Sequence, residues 1–311
     1  MTKTLKATPE TVHWGYFSKS LAPALKVADG DTVEVETFSY PRGENFPELL
    51  TPELQVILDK VTDIGPGPHL LTGPIHVEGA QPGDVLAIEI EEVEPILEHA
   101  YNRIQPGKAG LGLLPEDFPE GRLTLLKLDR QAREVVLSEK IRVPMRCFFG
   151  IMGVAPAEEE RWTSRVPAEF GGNIDITELV AGSTLYLPVF QPGGLLSVGD
   201  GHSAQGDGEV DLSASETSLR GRLKLSVRRD FKLQRPMVET KTHIITTGFD
   251  EDLDEAVKIA TRDMIDWLVV QHGMERLDAY LLCTLALDLR ISQVVNLRKG
   301  VHAMLSKAIF R

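Results

Sequence analysis

Apolar and polar positions alternate with period two over much of this chain, and the clearest runs each open on a turn. Residues 28–36 read Ala-Asp-Gly-Asp-Thr-Val-Glu-Val-Glu, residues 81–90 Gln-Pro-Gly-Asp-Val-Leu-Ala-Ile-Glu-Ile, and residues 181–189 Ala-Gly-Ser-Thr-Leu-Tyr-Leu-Pro-Val. In each, a glycine turn reverses the chain and successive side chains then point to opposite faces, which predicts a strand. Further strands are predicted over 122–129, 134–143 and 220–230. In the last, Leu223, Leu225 and Val227 alternate with Arg222, Lys224, Ser226 and Arg228, so one face is wet. Helical spacing is scarce before residue 250. Thr51 caps a predicted helix over 51–59, with Pro52 in its first turn. Beyond residue 250, Leu253, Ala256, Val257, Ala260, Met264 and Leu268 recur at helical spacing, with acidic residues in the first turn and Gly273 as a stop. A second helix is predicted over 275–289 and a short strand over 291–295. Residues 98–118, with Tyr101, Pro106, Gly107, Gly110, Gly112 and Pro115, read as a loop over a site.

Many short strands with Gly and Pro turns predict a mainly β fold, a sandwich or barrel of jelly-roll type. The β-rich body spans 1–240 and an α+β part spans 241–311. The length of 311 residues allows a large core, and the net charge of −13 argues against a nucleic-acid partner, which needs clustered Lys and Arg. Two cysteines, Cys147 and Cys283, lie far apart in apolar surroundings and read as buried, reduced thiols. No apolar run reaches the ~20 residues of a membrane span, and the first residues lack the apolar core of a secretory signal. The expected location is the cytoplasm, and the helical tail is a candidate interface for a homo-oligomer, a dimer in the simplest case.

Candidate chemistry is concentrated in residues 197–216. Asp200, His202, Gln205, Asp207, Glu209, Asp211 and Glu216 are interleaved there with Gly199, Gly201, Gly206 and Gly208, and an apolar segment over 185–198 leads into them. Glycine permits backbone conformations that let polar groups converge, and a His among carboxylates suits a metal or hydrolytic site. The run 199–209, Gly-Asp-Gly-His-Ser-Ala-Gln-Gly-Asp-Gly-Glu, resembles the signature of the acetamidase/formamidase family. Four more segments agree in order: residues 11–17 (Thr-Val-His-Trp-Gly-Tyr-Phe), 73–84 (Gly-Pro-Ile-His-Val-Glu-Gly-Ala-Gln-Pro-Gly-Asp), 171–175 (Gly-Gly-Asn-Ile-Asp) and 181–188. The resemblance spans most of the chain and implies hydrolysis of short aliphatic amides to acid and ammonia, so the expected partner is a small amide.

Amide hydrolysis requires a nucleophile, a stabilised oxyanion and a proton for the leaving nitrogen. Neither cysteine has an adjacent base, and no Gly-x-Ser-x-Gly elbow occurs. That favours a water on a divalent metal, zinc first and calcium as the alternative. Three i, i+2 pairs offer ligands on one side of an extended segment: Asp200 with His202, Asn173 with Asp175, and His76 with Glu78. Asp175, Asp200 and His202 are the leading ligands, with His76 and Asp207 as further ones. Glu78 is the leading general acid–base, with Glu209 beside it, and Gln205 orients amide or water. Asp207 and Glu209 have a second reading, as braces of the loop or ligands of a hard cation. His13 and Trp14 are candidates for the pocket wall. His69, His99, His243, His272 and His302 read as ordinary. Two other readings keep the same residues: another metal enzyme on a jelly-roll scaffold, and a non-catalytic sandwich module holding structural calcium.

Overall fold

Alternation over the strands sorts the chain into two large sheets packed face to face. The computed structural model describes residues 1–41, 46–105, 111–158 and 161–311. Nine strands form the first sheet, in the order Thr2–Leu5, Thr32–Thr37, Leu219–Arg228, Val85–Pro95, Thr184–Pro188, Met237–Glu239, His243–Asp250, Lys299–Ser306, Leu287–Gln293. The three turn-and-alternation runs of the sequence all enter it, and the second and third pair directly, Ile88 opposite Leu185. The second sheet is built around Leu196–Ala204, which pairs with Phe148–Gly153, with Leu70–Val77 and with Ser215–Glu216. No barrel closes among the described residues: the two sheets form a sandwich.

Val33, Val35, Ile88, Ile90, Leu223 and Leu225 from the first sheet pack against Leu71, Ile75, Phe149, Ile151, Leu196 and Val198 from the second, all at most 1% exposed. Each such side chain contributes about 1.5–3 kcal/mol through burial, offset by the entropy of ordering it. Over Leu219–Arg228 the burial alternates as the sequence does, with the leucines inside.

Among the described residues, three α-helices complete the fold. Helix α1 (Pro52–Lys60) starts where Thr51 accepts a hydrogen bond from the Leu54 amide. Helix α2 (Leu253–His272) is capped by Asp252 and ends at Gly273, whose φ of +63° suits glycine. Helix α3 (Arg276–Ala286) is shorter than the periodicity predicts. At Leu287 the chain leaves helical geometry and becomes the last strand of the nine-stranded sheet, so the predicted helix over 275–289 and strand over 291–295 shift together. Met264, Ile265, Leu268, Ala279 and Cys283 of α2 and α3 cover the outer face of that sheet over Val85, Ala87, Tyr186, Met237 and Ile244. The sheet crosses residue 240 without a gap, because Met237–Glu239 pairs with His243–Asp250.

Two further expectations change. Residues 134–143 form not one strand but a hairpin of Glu134–Val136 with Arg142–Pro144. In the predicted loop 98–118, His99–Ile104 is a strand paired with both Arg122–Asp129 and Ser215–Glu216; residues 106–110 lie outside the described residues. Among the described residues no helix is long and apolar enough to cross a membrane.

Candidate active site

The central strand Leu196–Ala204 carries Asp200 and His202 in the middle of the second sheet. His202 lies opposite Phe148 on one side and Glu216 on the other. Asp200 has φ +56°, Asp175 +47° and Glu209 +46°. A side-chain-bearing residue in this left-handed region costs about 1–3 kcal/mol, and such residues cluster at active sites. All three carboxylates thus reach the site from backbone held in a costly conformation.

They converge with His202. Asp175, Asp200 and His202 bring one ligand atom each to within 4.8 Å of one another, and so do His202, Glu209 and Glu216. His202 Nε2 is 3.4 Å from Asp200 Oδ2 and 3.3 Å from Glu216 Oε1. Its other nitrogen, Nδ1, meets Gln205 Oε1 at 2.9 Å, and the Gln205 amide donates to the carbonyls of Asp175 (3.1 Å) and Ser292 (3.2 Å). Asn296 Nδ2 donates to Asp175 Oδ2. Asp175 Oδ1, His202 Nε2 and Glu216 Oε2 are buried without a hydrogen-bond partner among the described residues.

Gly150 forms the floor. A Cβ there would stand 2.6 Å from Asp175 Oδ1, 2.6 Å from His202 Cε1 and 2.9 Å from Asp200 Oδ2. Its carbonyl accepts from the amides of Ile174 and Asp175, which fixes the turn that presents Asp175. A cavity of about 150 Å³ opens above, with Trp14, His69, Tyr101, Arg165, Asn173 and Asn296 among its lining residues.

Burial in a crowd of like charges governs protonation. Burial pushes the Asp175 carboxyl up to about 8, with His202 opposing and Asp200 assisting. It raises Glu216 to about 7 against the pull of His202. Burial, then the charge of Asp175, hold Glu209 well above the usual carboxylate range. Burial disfavours the charged forms of Asp200 and His202 as well, but their partners win: His69 and His202 keep Asp200 low, and Glu216 and Asp200 keep His202 well above its ordinary value.

The structure brings together Asp175, Asp200, His202, Gln205 and Glu209 from the sequence candidates, and places Trp14 in the cavity wall. His13 is buried behind that wall, its ring edge-on to Tyr16 at 5.8 Å, and does not line the cavity. Asp207 stands apart, with Glu178 and His302, where Arg290 lies 3.3 Å from Glu178 and 3.6 Å from Asp207. His76 and Glu78 do not join the cluster. Leu71, near the start of their strand, faces Gly199, whereas Glu78 follows its far end, roughly 20 Å along at the rise of a strand, and is exposed. The i, i+2 spacing set the side on which this pair points, not the end of the sandwich it occupies. His69, read as ordinary, stands 3.9 Å from Asp200. Gly150 and Asn296 had no local signal at all, since both act through contacts distant in sequence.

Comparison with known proteins places the chain in a family. The family model for the Acetamidase/Formamidase family matches residues 1–166 and 161–311. A putative formamidase from Schizosaccharomyces pombe is 26% identical over 270 residues, 69% of this chain and 64% of its own length. The formamidase of Methylophilus methylotrophus is 28% identical over 208 residues, 51% of each chain. The chain thus spans about half to two thirds of these relatives. Among solved structures, an acetamidase from Bacillus halodurans superposes with a TM-score of 0.86 at 30% identity, covering 99% of this chain and 98% of that one. An acetamidase from Yersinia enterocolitica gives 0.87 at 30%, covering 100% and 93%. Matched along its whole length by the family model and by structures of this kind, the chain belongs to the Acetamidase/Formamidase family.

Proposed function

We propose that this protein hydrolyses short linear amides, formamide and acetamide first among them, to carboxylate and ammonia, with a divalent cation held by Asp175, Asp200 and His202. The observation that carries the reading is a set of buried atoms in one cluster with no hydrogen-bond partner among the described residues: Asp175 Oδ1, His202 Nε2 and Glu216 Oε2. Buried polar atoms in native proteins have partners, and one imidazole with two carboxylates is a donor set suited to zinc; calcium favours oxygen alone. When bound, such an ion supplies a water of lowered pKa and polarises the amide carbonyl.

The chain's own groups do the remainder. Gln205 fixes the ring of His202 by meeting Nδ1, which turns Nε2 into the cluster. Asn296 holds one oxygen of Asp175 and leaves the other facing inward. Glu209 borders the cavity with a carboxyl that burial holds well above the usual carboxylate range, which suits proton delivery to the leaving nitrogen. This role passes to Glu209 from Glu78, which lies out of reach. The cavity, at about 150 Å³, is smaller than the roughly 300–1,000 Å³ that drug-sized ligands occupy, and suits an amide of few heavy atoms. A thiol route has little support: burial pushes Cys147 up to about 12, and neither cysteine lines the cavity. We also take the working form to be a homo-oligomer.

The test is ammonia release from formamide and acetamide by protein of measured metal content, before and after chelation. Activity that disappears on chelation and returns with added zinc or another divalent ion is the expected result. Full turnover by demonstrably metal-free protein overturns the metal reading. Metal uptake with no turnover of any short amide favours the binding-module reading.

A further inference from the structure

Helix α3 is apolar on more than one side. Its charged residues are Arg276 and Asp278 alone. Ala279 and Cys283 face the core, while Leu277, Tyr280, Leu281 and Leu285 lie on the opposite surface, Leu277 at 78% and Leu285 at 74% exposure. A helix with apolar residues all round is one that becomes covered. Beside it runs the strand Leu287–Gln293, the last of the nine-stranded sheet. It pairs with Lys299–Ser306 on one side, and among the described residues its other side is unpaired until Gln293 meets Gly208. Leu289 and Ile291 are exposed on it. Leu287 and Leu289 line one groove with Leu277 and Tyr280, so strand edge and helix face form a single patch. A bare apolar edge of this kind invites another strand.

We infer that the occupant is a second copy of this chain, bound about a two-fold axis through Leu289 so that the two nine-stranded sheets join edge to edge. The reason lies in residues 287–291, Leu-Asp-Leu-Arg-Ile, which are complementary to themselves when paired antiparallel about their centre. Asp288 then lies opposite Arg290 of the second copy, and Arg290 opposite its Asp288. Leu287 meets Ile291 on the other face, over the groove. Opposite charges directly across a ladder stabilise it and like charges destabilise it, and a two-fold contact repeats every pair. On the same side of the joined sheet as that groove, the exposed leucines of the two α3 helices come together. The remainder of the strand runs into Ser292, whose carbonyl holds Gln205, and then to Asn296, which holds Asp175, so the contact braces the candidate site.

Sedimentation equilibrium on the full chain and its variants tests this. Wild type is expected to be dimeric or a higher assembly of dimers. Asp288→Arg places like charges opposite one another twice and should raise the dimer dissociation constant about tenfold or more, as should Arg290→Asp. Mixing the two single variants restores both pairs and should restore the dimer, as should the double swap within one chain. Arg290 also faces Glu178 and Asp207 of its own subunit, so Leu277→Glu, a change at an exposed site that lines the groove with Leu289, provides an independent weakening of the contact. A monomeric wild type overturns the inference, as does an assembly that all three single variants leave unchanged, or a mixture that stays dissociated.

Discussion

At the scale of single residues, the candidate site depends on groups whose side chains have no room to be anything else. Gly150 is the sharpest case. Gly150→Ala should fold, since the residue is not in the left-handed region, yet its methyl would sit against Asp175, His202 and Asp200. Loss of both metal uptake and turnover in a protein with wild-type circular dichroism is the expected outcome. Glu209→Gln should lower turnover by roughly 10²-fold or more with metal content retained, the scale of a lost general acid, whereas Glu78→Gln should leave the rate near wild type. The buried carboxyls also set a pH response. Asp175 and Glu216 bind protons more tightly folded, at about 8 and about 7, than unfolded at roughly 4. Between those values the folded state carries more protons, so stability of metal-free protein falls as pH rises. His202, raised when folded, adds the same trend; Asp200, kept low, contributes stability lost only in acid. Thermal melts of chelated protein should therefore show Tm dropping from about pH 5 to 8, and an added cation should recover it most at the alkaline end. A Tm that rises over that range contradicts the protonation pattern. Asp200, His202 and Glu209 were legible in the sequence because one glycine-rich run holds them. Asp175 emerged from a second run. Gly150, His69 and Asn296 were not, because the chain folds back from far away to place them.

Among the elements, local signals worked where a cap or an alternation is decided by neighbours. Thr51 and Gly273 mark helix ends that the structure shares, and the alternation of Leu219–Arg228 matches its burial. Asp252 accepts from the amides of Asp254 at 2.8 Å and Glu255 at 3.2 Å. Asp252→Ala should cost about 0.5–2 kcal/mol in a denaturant titration and leave amide turnover per folded molecule unchanged. Local signals misled where tertiary pairing overrode them. Leu287 and Leu289 continue a helical apolar pattern, yet pairing with Lys299–Ser306 draws them into a strand. His99–Ile104 sits among turn formers, yet lies between two strands that supply its hydrogen bonds.

For the whole molecule, the sandwich followed from counting strands and turns, while the order of strands did not, since alternation is silent about which edge meets which. That order has a consequence for how the protein is made. Leu219–Arg228 lies between Thr32–Thr37 and Val85–Pro95, hydrogen-bonded to both. Two apolar strands that leave the ribosome early therefore wait for a third that arrives more than a hundred residues later. Until then each exposes an open edge, the condition under which nascent β chains pair with the wrong partner. Expression should accordingly be more sensitive to the speed of translation and to chaperone supply than the stability of the finished fold would indicate. Slowing synthesis or co-expressing a holdase should raise the soluble yield without moving the Tm of the purified protein.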